Sequence, residues 1–297
     1  MTLYLRTLLS TVLLFLGSLT SLTAQDSLFY RVSHPEHPQV APSYLFGTFH
    51  LMKSGYFQNN YSAVQEAFEK AEMVVVETVI DSSKLMELAS LVMMKSGAIT
   101  DYLSDAQWDT LKQRLSSYPY PEAALRKLKP MQHLLMLTMK EYQSLETAFQ
   151  KGEGQPVDLY FAQQAKVESR NLRPLETMMD QMRMLYQRLP DSLQAQMLRE
   201  ALEDPESMAP LTRKMADYYQ QGKLRELGRL YQENQESFQE MSFLVKPRNK
   251  RWMPELEEIL QSGNAFIAVG ALHLPLEGGL LELLKAKGYK LEPLSRR

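Results

Sequence analysis

Two stretches decide the reading of this chain: Tyr44-Leu45-Phe46-Gly47-Thr48-Phe49-His50-Leu51 and, near the other end, Ile267-Ala268-Val269-Gly270-Ala271-Leu272-His273-Leu274. Each opens on an apolar run suited to a strand and closes on Gly-x-x-His-Leu, with a helix and a further strand following. Glycine at a strand's end lets the backbone turn sharply and lets a ligand approach closely. Open α/β sheets place their ligand crevices just beyond the carboxyl ends of their strands. The echo predicts two β/α halves sharing one sheet, with His50 and His273 brought together in space.

Around the first stretch, Phe29 to Val32 and Tyr44 to Phe49 read as strands of a hairpin separated by His34-Pro35-Glu36-His37-Pro38. Tyr61 to Ala71 carries helical periodicity, and Met73 to Val76 is a continuous apolar run fit for a strand buried on both faces, completing a βαβ unit. Around the second, Ala265 to Val269 is a buried strand and Gly278 to Lys287 a helix stopped by Gly288. Tyr289 to Leu291 is a short last strand that needs the first ones to pair with. Between them the pattern is helix after helix, punctuated by Ser104-Asp105, Tyr118 to Pro121, Lys129-Pro130, Gly152 to Gly154, Pro190 to Ser192 and Pro205 to Pro210, with Asn171 to Leu175 as one extended interruption. The fold class expected is α/β: a central mixed sheet from N- and C-terminal half-repeats with a large helical insertion. Residues 25–80 and 262–297 supply the core of one domain, 25–297, and 81–261 the insertion.

Residues 1–24 read as a secretory leader, with Arg6 before an apolar stretch and Leu22-Thr23-Ala24 as a small-residue cleavage site, so the mature chain is expected in the periplasm or outside the cell. That stretch is interrupted by Ser10, Thr11, Gly17, Ser18 and Thr20 and is too short to span a bilayer, and no later one is expected to span. The absence of cysteine excludes disulfides, thiolate ligands and lipid attachment at a cleavage-site cysteine. A net charge of −2 with interspersed signs gives no nucleic-acid footprint. The 18 methionines fall mainly at helical spacings, among them Met93, Met94, Met131, Met136 and Met139, as core filler does.

Only five histidines exist. His34 and His37 fall in a proline-rich turn and read as solvated; His133 falls in a helical stretch and reads as structural. His50 and His273 are candidate metal ligands or an acid/base pair, because imidazole changes charge nearest neutral pH. Glu77 ends the run Met73 to Val76, where a carboxylate must face a cation, a metal or a donor to be tolerated. Two imidazoles and one carboxylate make a first-row divalent set with open positions. Glu176-Thr177 repeats the Glu-Thr pair of Glu77-Thr78, helix capping by Thr177 being the other explanation. The pair Arg248-Asn249 suits holding a carboxylate or a developing oxyanion. Asp158 is a weaker candidate. Gly47 and Gly270, with Glu176 and Asp158, are assigned to substrate contact. No His-Glu-x-x-His helix, Gly-x-Ser-x-Gly elbow, Walker loop or Gly-x-Gly-x-x-Gly is present, which leaves zincin, serine hydrolase, NTPase and dinucleotide readings without a carrier.

These residues resemble the TraB/PrgY/GumN family, which includes the Tiki metalloproteases. The likeness rests on Tyr44 to Leu51, Val74 to Thr78, Val157 to Tyr160, Leu175 to Thr177, Arg248-Asn249, Phe266 to Leu274, Gly279-Leu280 and Gly288-Tyr289. It implies a fold similar to the erythromycin esterase and ChaN-like group. By likeness to Tiki proteins it also implies metal-dependent peptide cleavage at His50, Glu77 and His273, with manganese or cobalt as the ion and Arg248 and Asn249 in support; zinc also suits a set of two imidazoles and one carboxylate. Pro247 stands where family members often carry an acidic residue. The expected function is an exported metal-dependent hydrolase acting on a peptide or protein; the competing one is a non-catalytic binder of peptide, haem or iron in the same pocket.

Overall fold

A computed structural model describes residues 26–144, 153–204, 208–234 and 243–297. The leader expected over residues 1–24 lies outside them, as do Gly152 and Pro205.

Six strands form one sheet: β1 (Phe29–Ser33), β2 (Ser43–Thr48), β3 (Met73–Val76), β4 (Asn171–Pro174), β5 (Ala265–Gly270) and β6 (Lys290–Pro293), in the order β4-β3-β5-β2-β1-β6. The four strands from β4 to β2 are mutually parallel; β1 pairs antiparallel with both β2 and β6. The sheet is therefore mixed, as expected, and β5 lies between β2 and β3 instead of extending an edge. The three strands that end near candidate residues stand side by side at its centre. Parallel strands covered on both faces need apolar residues on both, and Val74, Val75, Phe266, Ile267 and Val269 are all fully buried.

Side chains of cross-strand partners share a face, so the register divides the sheet. Phe46 is paired with Ala268 and Tyr44 with Phe266. Phe46 and Phe266 meet Phe161 of helix Val157–Val167 at ring-centroid distances of 6.1 and 4.9 Å, and Phe57, Tyr61 and Phe68 complete an aromatic cluster there. The opposite face carries Val75 and its partner Arg173, which reaches Glu255 at 2.9 Å, and so is covered by helix Lys246–Ser262. Trp252, Leu256 and Ile259 of that helix are buried.

The middle of the chain is mainly helical but is not a bare insertion. The extended stretch at Asn171 is edge strand β4, and helix Val157–Val167 supplies one layer of the central core. Helices Met208–Gln220 and Leu224–Glu233 also join the central core, through Tyr219 and Leu227, while others build cores of their own, one around Trp108, Leu111, Leu137 and Leu198, another around Met131, Tyr186 and Leu189. His133 belongs to helix Pro130–Ser144, fully buried with Nε2 on the Leu125 carbonyl at 3.0 Å, the structural role expected of it. His37 is exposed and His34 half-buried, their rings 4.8 Å apart in the turn. The final helix, Leu280–Ala286, ends before Gly288, whose φ of +87° suits glycine and frees the chain to enter β6.

Candidate functional site

The carboxyl ends of β2, β3 and β5 bring the echoed histidines and Glu77 to one point. A side-chain carbon placed on Gly270 would stand 3.1 Å from Glu77 Oε1, 3.6 Å from His273 Cδ2 and 3.9 Å from His50 Nε2. Gly270 leaves room for that convergence: a larger residue would press on Glu77, which would have to give by a few tenths of an ångström. Its N–H also donates to Glu77 Oε1 at 2.7 Å. Gly47, assigned to substrate contact from the sequence, serves packing instead. A carbon there would meet Ala271 Cα at 3.0 Å, so its absence lets the turn after β5 close on β2.

Glu77 is 9% exposed and meets the sequence expectation that a carboxylate here must face a donor. The donor is Arg248, whose Nη2 bonds Glu77 Oε2, joined by Gln181 Nε2 at 3.3 Å. Burial pushes the Glu77 pKa up, but the charges of His273 and Arg248 and the Gly270 N–H outweigh it and hold it down, to about 2. At neutral pH, where His273 is uncharged, the Arg248 guanidinium and the protonated His50 are the cations that do this.

Arg248 and Asn249 lie inside the first turn of helix Lys246–Ser262. The guanidinium uses all five of its N–H donors. Nε and Nη2 bond Glu176 Oε1 at 3.0 and 2.6 Å, Nη2 also bonds Glu77, and Nη1 donates to the Leu244 carbonyl at 3.0 Å and to His273 Nε2 at 3.1 Å. No donor remains for an oxyanion, which corrects that expectation for Arg248. Asn249 donates Nδ2 to the carbonyls of His273 and Gly278 at 3.1 and 2.9 Å, so its Oδ1 is the acceptor facing His273 Nδ1 at 2.6 Å. His273 thus carries its proton on Nδ1 and accepts on Nε2. Burial keeps it neutral, its pKa pushed down to about 4.

His50 lies two residues past β2 with its side chain 71% exposed, and its Nδ1 meets Asp158 Oδ2 at 2.7 Å. Asp158 sits in the first turn of helix Val157–Val167, which carries it over the sheet's carboxyl edge. The Asp158 carboxylate raises the His50 pKa above the ordinary histidine value. With Nδ1–H on the carboxylate, Nε2 faces the side of Gly270; it carries a proton at neutral pH and accepts one only above the raised pKa of about 9.

Glu176 is held by Arg248 and, at 3.4 Å, by Arg251. Thr177 caps helix Met178–Gln187 by accepting from the Asp180 N–H, so the Glu-Thr pair serves both readings at once. Two residues were missed. Trp252 lies under both Arg248, at 4.7 Å, and His273, at 4.5 Å. Its place four residues after Arg248 on one helix face was the available signal. Gln181 had none.

A divalent ion shared by His50, Glu77 and His273 does not fit this arrangement. Both His273 nitrogens are engaged, and Arg248 stands on the Glu77 and His273 atoms that would bind the ion. Among the described residues no group of three or more His, Asp or Glu converges as ligands of one ion.

The TraB/PrgY/gumN family profile matches residues 28–293, nearly all of the described chain. The chain belongs to this family. The match spans all six strands, so sheet, helical middle and site fall within one family unit. No curated protein and no solved structure matches the chain.

Proposed function

We propose that this TraB/PrgY/gumN family member is an exported hydrolase that cleaves a peptide bond, with His50 as the general base and Asp158 as its orienting partner. The observation that carries the reading is the His50–Asp158 bond together with the turn of His50 Nε2 toward the point beside Gly270 where Glu77 converges. Two groups compete for the role of base. Glu77 is held ionised at low pKa with both oxygens engaged, and so binds a proton weakly; His50 is raised and open to solvent. In its neutral form, which predominates above the raised pKa of about 9, His50 takes a proton from an attacking water and returns it to the leaving amine. Asp158 accepts Nδ1–H throughout and steadies the imidazolium that forms. The peptide bond as substrate follows the likeness to Tiki proteins, and export follows the leader.

The test uses the purified mature chain on a peptide library, with and without a chelator, beside His50→Ala and Asp158→Asn. The expected result is cleavage that survives chelation and disappears in His50→Ala. Cleavage abolished by the chelator and restored by manganese, cobalt or zinc would replace direct base catalysis with the metal-dependent route. A haem absorbance band without cleavage would make the protein a binder.

A further inference from the structure

We propose that Arg248 stands in place of a bound ion: its guanidinium occupies the shared face of Glu77, Glu176 and His273, and removing it uncovers a latent divalent-cation site. The inference concerns the pocket of the proposed hydrolase and rests on that reading only for its location.

Three features carry it. First, the guanidinium is 6% exposed and fully engaged, bonding two carboxylates that are themselves 11% and 6% exposed. Two carboxylates buried this deeply and this close cannot both stay ionised without a cation between them. The protein supplies that cation from its own chain. Second, the only lone pair on His273 able to bind a metal is Nε2, and it accepts from Arg248 Nη1. Asn249 enforces this tautomer, because its own Nδ2 is committed to two backbone carbonyls and its Oδ1 must therefore accept. Third, Trp252 packs against both the guanidinium and the imidazole, so neither can swing aside without losing a buried contact. A divalent ion on Glu77 and His273 would meet a fixed positive charge at contact distance in a site closed to screening water.

Without the guanidinium the same residues change meaning. Glu77, Glu176 and His273 Nε2 would converge on the space it vacates as two carboxylates and one imidazole, a donor set suited to a first-row divalent ion.

The experiment reads binding and tautomer, not turnover. Full-length mature protein labelled with ¹⁵N at histidine is dialysed against chelator, then against excess zinc or manganese, and bound metal is measured beside two-dimensional ¹H–¹⁵N spectra. In the wild type, His273 is expected as the neutral Nδ1–H form with signals unmoved by zinc. Any zinc taken up should perturb only solvent-facing histidines such as His50 or His37. In Arg248→Met, one equivalent of ion should bind and shift His273 Nε2, and Arg248→Met/His273→Ala should lose it. Stoichiometric ion on wild-type His273 overturns the proposal, as does a folded Arg248→Met that binds none. If Arg248→Met does not fold, the wild-type spectra decide alone: a zinc-insensitive His273 in the Nδ1–H form supports the assignment. The hydrolase reading could fail for want of cleavage while these spectra still support the Arg248 assignment, and the reverse holds equally.

Discussion

The segments Gly47-Thr48-Phe49-His50 and Gly270-Ala271-Leu272-His273 share a pattern and a place at the carboxyl edge of adjacent parallel strands, yet their histidines have opposite chemistry. His50 is 71% exposed at its side chain, bonded to a carboxylate and raised in pKa; His273 is 5% exposed, bonded to an amide and a guanidinium and lowered to about 4. The cause lies past the strands. The echo aligns Gly47 with Gly270, but the sheet pairs Gly47 with Val269 and Thr48 with Gly270, and Ala271–His273 then coils into a 3-10 turn. His50 meets helix Val157–Val167 and Asp158, while His273 meets helix Lys246–Ser262 with Arg248 and Asn249. One tetrapeptide pattern yields a solvent-open imidazole and a fixed neutral ring at the same edge.

The comparison is broken hardest by removing the acceptor. His50→Ala should lower kcat/KM on a cleaved peptide by roughly 10²–10⁴-fold with the fold intact, whereas loss of secondary structure by circular dichroism would make His50 structural. Arg248→Met should act on the His273 side, through stability. It leaves Glu77 and Glu176 buried without their cation, at a cost of about 3–5 kcal/mol by urea denaturation. A cost near zero would mean that solvent already screens these carboxylates.

Acid should expose the buried ring. His273 and His133 both have pKa values of about 4 in the fold against 6.5 unfolded, so between those values the unfolded chain binds more protons. Stability should fall as pH drops from 6.5 to 4, by on the order of 1–3 kcal/mol for each histidine. Glu77, whose pKa is lowered to about 2, loses its contribution only below its unfolded value of 4.5. In His133→Gln the slope between pH 6.5 and 4 should become shallower; an unchanged slope would assign it to other groups.

The smallest effect sharpens His50. Its raised pKa gives stability that is present below the unfolded value and lost as pH rises through the folded one. For a pair this open to solvent that is about 0.2–1 kcal/mol. The kinetic signature of Asp158→Asn is clearer: without the carboxylate the His50 pKa falls, and the rising limb of kcat/KM should move to lower pH. A limb that stays in place would leave Asp158 without influence on the base.

Much of this was legible from residue order. The strands β1, β2, β3 and β5 were readable because apolar runs bounded by turn residues leave few alternatives, and β3 was placed residue for residue. Glu77 was found from the cost of burying a carboxylate, and Arg248 was recognised as a residue able to hold one. Edge strand β4 was harder, since Asn171-Leu172-Arg173-Pro174 is half-exposed and lacks the apolar run that marks a central strand. Asp158 was underrated because nothing near it in sequence shows that its helix crosses to His50.

The sequence alone therefore determined which residues end the central strands, and with them that His50, Glu77 and His273 share one edge, because strand ends follow from local apolar pattern and glycine. Only the tertiary structure decided what each does there. Protonation and ligand capacity depend on the partners that two distant helices deliver. Neither is written in the motif that the two histidines share.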